Sequence, residues 1–170
     1  DQFAYEVATV RRAAALIARA NDVIGEIPSE ALTCSVAAEG MARLWRSARR
    51  KANREWQHDG EKSHDVRKAA SRLVHQLNLI EQDLPKQLRK FRQRLRRATS
   101  ALGEEHDLAI LAECIALHRG KLGATFSEAV LQVCRRGRNR LREQAGVALA
   151  ESMTLRPRGL ARAIEKTYRA

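Results

Sequence analysis

The sequence predicts an all-α protein, an antiparallel helical bundle of about six to seven helices. Three observations predict it. Ala, Leu, Arg, Glu and Lys dominate, while aromatic residues are only 4% of the chain and β-branched residues never alternate with polar ones. Apolar residues recur at helical spacing through several long segments. The breaks between those segments are short, which makes consecutive helices antiparallel neighbours.

Taken in order, helices are expected over 3–24, 30–56, 62–82, 85–102, 104–119, 125–150 and 159–168. The first break is Gly25 to Ser29 and the second Gln57 to Ser63. Asp83 ahead of Pro85 reads as an N-cap followed by proline in the first turn. Gly103 reads as the end of one helix, with Glu104 and Glu105 as acids suited to the start of the next. After Gly120 to Gly123, Thr125 and Glu128 have capping-box spacing, and Arg156 to Gly159 marks the last break.

A helical wheel at 100° per residue sorts three of these segments. In 38–56, Met41, Trp45, Ala48, Ala52 and Trp56 share one face, and Arg43, Arg46, Ser47, Arg50 and Arg54 the opposite one. In 62–82, Val66, Ala69, Leu73, Leu77 and Ile80 oppose His64, Arg67, Lys68, Ser71 and His75. In 85–102, Leu84, Leu88, Phe91, Leu95 and Leu102 oppose Lys86, Arg89, Lys90, Gln93 and Arg97. Three successive helices therefore carry a basic stripe facing away from their apolar seam.

A chain of 170 residues with 44% hydrophobic content can build a sizeable core, and one domain over 1–170 is expected. The formal net charge is +12, and residues 36–97 hold 17 Lys and Arg against 7 Asp and Glu. Such a balance calls for a polyanionic partner. No apolar run reaches the roughly 20 residues of a membrane span, so no membrane partner is expected. Asp1-Gln2-Phe3 has neither the basic start nor the apolar stretch of a signal peptide, and the absent initiator Met fits a piece of a longer protein. Cys34, Cys114 and Cys134 lack CxxC spacing and sit in apolar helical contexts, which reads as buried thiols in a reducing compartment.

Charged residues face water on any surface helix, but here the acids Glu55, Asp59, Glu81 and Asp83 gather at helix ends rather than among the arginines. Like charges at i,i+4 cost a helix a few tenths of a kcal/mol per pair, so a neutralising anion is implied. Binders of single-stranded nucleic acid stack bases on exposed aromatics, yet both tryptophans fall on the apolar face. No group of Asn, Gln and Arg marks a recognition helix. A phosphate polymer without bases fits best, with non-specific nucleic-acid binding as the alternative.

His64 and His106 fall in the first turn of their expected helices, where free N–H groups favour an anion. His75 shares the His64 stripe, while His58 reads as a loop residue and His118 as a helix end. Three His-Asp pairs, at 58–59, 64–65 and 106–107, allow a second alternative, a metal-dependent phosphohydrolase of the HD type. A divalent cation would be repelled by so many arginines, and no P-loop, nucleophile triad or dinucleotide turn is present. Neither catalysis nor a metal or other cofactor is expected.

Three ordered stretches resemble the CHAD family, the conserved-histidine α-helical domain. Gly40-Met41-Ala42-Arg43-Leu44-Trp45-Arg46-Ser47-Ala48-Arg49 is similar to the family's Gly-x-x-Arg-x-Tyr-x-x-x-Arg. Ser63-His64-Asp65-Val66-Arg67-Lys68-Ala69-Ala70-Ser71-Arg72-Leu73 is similar to His-x-x-Arg-Lys-x-x-Lys-x-Leu. Leu102-Gly103-Glu104-Glu105-His106-Asp107-Leu108-Ala109-Ile110-Leu111 is similar to Leu-Gly-x-x-His-Asp-Leu-x-x-Leu. Trp45 departs from the usual Tyr, and Ser71-Arg72 stands where Lys is common.

The resemblance covers about 36–115 and implies the second of two four-helix-bundle-like halves, the first being shortened or missing. It implies binding of inorganic polyphosphate, cytoplasmic location and recruitment to polyphosphate granules. Carried over by motif, the contacts would be Arg43, Arg46, His64, Arg67, Lys68 and His106. The wheels add Arg50, Arg54, Arg72, His75, Lys86, Arg89, Lys90 and Arg97. Some members accompany a triphosphate tunnel metalloenzyme domain, whose alternating glutamates on strands are absent here.

Overall fold

The computed structural model describes residues 10, 12–19, 22, 26, 33–53, 56, 57 and 60–168. Every regular element among them is helical. The chain divides into two compact units, Asp1–Ala37 and Ala38–Ala170. In the first, residues 12–19 are helical, inside the expected 3–24.

The second unit holds α1 (Cys34–Ala52, whose first turn lies in the first unit), α2 (Gly60–Leu79), α3 (Lys86–Leu117), α4 (Arg119–Leu122), α5 (Ala124–Ser152) and α6 (Pro157–Tyr168). A 3₁₀ turn, Glu81–Asp83, links α2 to α3. The apolar faces assigned by the wheels are the buried ones. Met41, Trp45, Ala48 and Trp56 are buried, as are Val66, Ala69, Leu73 and Leu77, and all of Leu84, Leu88, Phe91, Leu95 and Leu102. Trp45 meets Phe91 edge to face with ring centroids 5.0 Å apart, the arrangement aromatic quadrupoles favour.

Cross-links fix the helix directions. Asn78 and Glu81 both accept hydrogen bonds from Arg92, while His64 lies beside His106, so α2 and α3 are antiparallel. Arg94 pairs with Glu151 at 3.3 Å and Glu105 with Arg138 and Arg142, so α3 and α5 are antiparallel too. These two share the most extensive interface of the unit. The segment after α5 is clamped to α1, because Trp45 Nε1 donates to the Leu155 carbonyl at 2.6 Å and Arg49 Nη1 to the Met153 carbonyl at 2.6 Å.

Several local expectations need correction. Gly103 does not end a helix, and the expected 85–102 and 104–119 are one helix, α3. The Arg67 side chain lies against Gly103, its Nη2 3.5 Å from where a Cβ would stand, an ordinary contact. Glu105 is consequently not a helix-start acid but a buried carboxylate, 3% exposed, bonded to two arginines. The chain instead turns at Gly123, whose φ of +85° suits glycine alone, and α5 starts directly after it. Thr125 and Glu128 therefore form no capping box, and Glu128 pairs with Arg135 at 2.7 Å. Asp83 does not cap α3 either, since Pro85 occupies that position and Asp83 accepts the Tyr168 hydroxyl at 3.1 Å. Of the three cysteines only Cys134 is buried; Cys34 is half-buried and Cys114 exposed. His58, and with it the loop reading, lies outside the described residues.

Candidate functional site

His64, Arg67, Lys68 and Arg72 project from one side of α2 because Val66, Ala69, Ala70 and Leu73 bury the other. The spacing i, i+3, i+4 stacks these cations along one face. Across from them α3 presents His106 one turn after Gly103. The two imidazoles lie with ring centroids 5.7 Å apart and tilted by 37°. Arg67 reaches over Gly103 beside them. Nδ1 of His64 is buried and has no hydrogen-bond partner among the described residues.

The helix-start explanation for the two histidines does not hold. His64 is the fifth residue of α2, and His106 lies deep within α3. What brings them together is the antiparallel packing of α2 on α3, and neither lies at the free N–H groups of a helix end.

Beside this pair, Ser47 and Lys51 of α1 meet Lys68 and Arg72 of α2 around a depression of about 220 Å³. Lys51 donates a hydrogen bond to Asp65 at 2.5 Å. That bond, reinforced by the ammonium charge, holds the Asp65 carboxyl below its ordinary value, with Lys68 and His64 adding smaller effects. A second depression, of about 290 Å³, opens at the start of α3 among Lys86, Arg89, Lys90, Arg92 and Arg96. Arg92 is committed to Asn78 and Glu81, and its hydrogen bond keeps the Glu81 carboxyl below the usual range.

The remaining residues of the expected stripe lie apart from these clusters. Arg43 pairs with Glu39 at 3.8 Å, so the stripe on α1 is not free of acids. Arg46 turns toward α6, where it lines a depression with Arg49, Arg156 and Arg158. Arg97 lines a groove of about 890 Å³ between α3 and α5. That groove is larger than the depressions above, but Glu104, Glu143 and Glu151 balance Arg96, Arg97 and Arg140 within it. Arg50 and His75 are exposed, and Arg54 lies outside the described residues. The wheels missed Lys51, Arg96 and the arginines at 156 and 158. The projections assign Lys51 and Arg96 to no stripe, and they do not extend to Arg156, just before α6, or to Arg158 in its first turn.

Chemically, the surface is a set of guanidinium, ammonium and imidazole donors suited to phosphate oxygens. Among the described residues, no three His, Cys, Asp or Glu side chains are grouped so as to hold a metal ion. No helix among them is long and apolar enough to cross a membrane. No curated protein and no solved structure matches the chain. The family model of the CHAD domain matches residues 5–116, starting well ahead of the 36–115 stretch that carries the three motifs. That match takes in His64, Arg67, Gly103 and His106, the four residues gathered where α2 crosses α3, and the chain belongs to the CHAD domain family.

Proposed function

We propose that this chain binds inorganic polyphosphate without transforming it, through the cations of α1, α2 and the first two-thirds of α3. One observation carries the reading: His64 and Arg67 from α2 meet His106 from α3 at one point, with Lys68 and Arg72 alongside. Arg67 offers paired donors in a fixed plane, and a bound phosphate favours the protonated imidazoles. The clusters are open and separated, which suits a flexible polymer laid across several of them better than a small molecule held in one pocket. Release of counterions from the polymer supplies much of the affinity and makes it fall with salt. Among the described residues, exposed aromatic side chains that could stack a base are few, Phe126 and Tyr168 being the large ones.

The test is a competition titration at near-physiological salt, in which labelled long-chain polyphosphate is displaced by unlabelled polyphosphate, single-stranded RNA or duplex DNA. Polyphosphate is expected to compete at least tenfold better, a difference of about 1.4 kcal/mol, with no orthophosphate released. Equal competition by nucleic acid would make the surface a generic cation face, and phosphate release would make the protein a hydrolase. Replacing His64, Arg67 and Lys68 together by Ala is expected to weaken long-chain binding sharply while helicity stays unchanged. On this reading a fluorescent fusion collects at polyphosphate granules, and the triple variant does not.

A further inference from the structure

We infer that Arg46, Arg156 and Arg158 form a separate site for a phosphate group carrying two negative charges, such as the end of a linear polyphosphate chain. The inference deepens the polyphosphate reading and rests on it. These three side chains line one open depression of about 690 Å³, with Arg49 and Pro157 completing its wall. Among the described residues no carboxylate lines it. Arg46, Arg156 and Arg158 form no ion pair among the described residues, unlike Arg43, which pairs with Glu39, and Arg94, which pairs with Glu151.

The depression is preformed. Arg49 sits 5.7 Å from the Trp45 ring centroid and donates Nη1 to the carbonyls of Met153 and Leu155, while Trp45 Nε1 donates to Leu155. Those bonds hold the segment between α5 and α6, so Arg156 and Arg158 are presented against α1 at a fixed place. Three guanidiniums lining one depression without a neutralising carboxylate repel one another, and the repulsion is best relieved by a compact, doubly charged ligand. A phosphate end group loses its second proton near pH 6, whereas a phosphate within a chain carries one charge, so the cluster selects the end. Free orthophosphate shares that chemistry.

The discriminating experiment is calorimetric titration of the full chain at pH 7.5 with linear tripolyphosphate, cyclic trimetaphosphate (which has no ends) and orthophosphate. Linear tripolyphosphate is expected to bind at least about tenfold more tightly than the cyclic compound. The Arg156→Gln/Arg158→Gln variant is expected to lose about tenfold for the linear compound and to keep its helicity, since both side chains are exposed. Orthophosphate binding as tightly as tripolyphosphate would support the site with free phosphate as its source; weaker orthophosphate binding would support it with the chain end. Undiminished tripolyphosphate binding by the variant, or equal binding of the cyclic compound, would overturn the inference. The triple variant at His64, Arg67 and Lys68 separates the two readings. If it leaves long-chain binding intact the main site is wrong, whatever Arg156 and Arg158 do.

Discussion

Replacing Gly103 by Ala is expected to stabilise the protein, and replacing Gly123 by Ala to destabilise it. At residue 103 the backbone is helical and φ is not positive, so alanine fits the conformation. An added Cβ would lie 3.5–3.8 Å from the Arg67 guanidinium, ordinary van der Waals contact that displaces nothing. Glycine in a helix interior costs about 0.8–1.0 kcal/mol relative to alanine, mostly as backbone entropy. Recovering most of that raises the melting temperature by about 2–4 °C for a chain of this size. At Gly123, φ is +85° and ψ is 146°, a region essentially closed to residues with a Cβ, and the expected loss is about 1–3 kcal/mol. Thermal melts followed by circular dichroism, with urea titrations as a check, read both changes. A loss of stability in Gly103→Ala would mean that α3 does not run unbroken through residue 103. The placement of His106 opposite His64 would fall with it.

Two further outcomes follow from charges. Glu105→Gln leaves Arg138 and Arg142 facing an uncharged amide in a site where the carboxylate side chain is 4% exposed. Urea unfolding should show a loss near about 3 kcal/mol, the lower end for broken buried pairs, because Arg138 keeps partial access to water. Asp65 has its folded-state value below 3.8 through the Lys51 hydrogen bond. Its contribution is therefore present above 3.8 and lost as pH falls through the lowered value. The melting temperatures of the wild type and Asp65→Asn should converge at the acid end of a pH 2–7 series, and a constant gap would refute the pairing.

The cores of α1, α2 and the first half of α3 were legible because each helix shows its own apolar period, and Trp45, Leu73 and Leu95 lie where the period puts them. Gly103 was misread because what carries α3 unbroken through it is packing against α2 and α5, which a local reading of the sequence does not include. Glu105 looked like a helix-start acid for the same reason, its partners Arg138 and Arg142 being 33 and 37 residues downstream. The motifs pointed to His64, Arg67 and His106, but only packing shows that they meet. The grouping of the cations was not legible, because a wheel says which way a cation points and not which helix stands beside it. Arg46 thus joins Arg156 and Arg158 instead of the α2 cations.

The unbroken run of α3 also sets a length scale. Lys86 and His106 stand on the same rigid helix, 20 residues or about 30 Å apart. If the protein binds polyphosphate as proposed, a phosphate chain shorter than that gap would engage one cluster at a time. A chain long enough to bridge it would tie down the second cluster from a high effective concentration, with no new contact required. Affinity plotted against the number of phosphates should therefore rise gently at first and then steeply, the change of slope reporting the distance along α3.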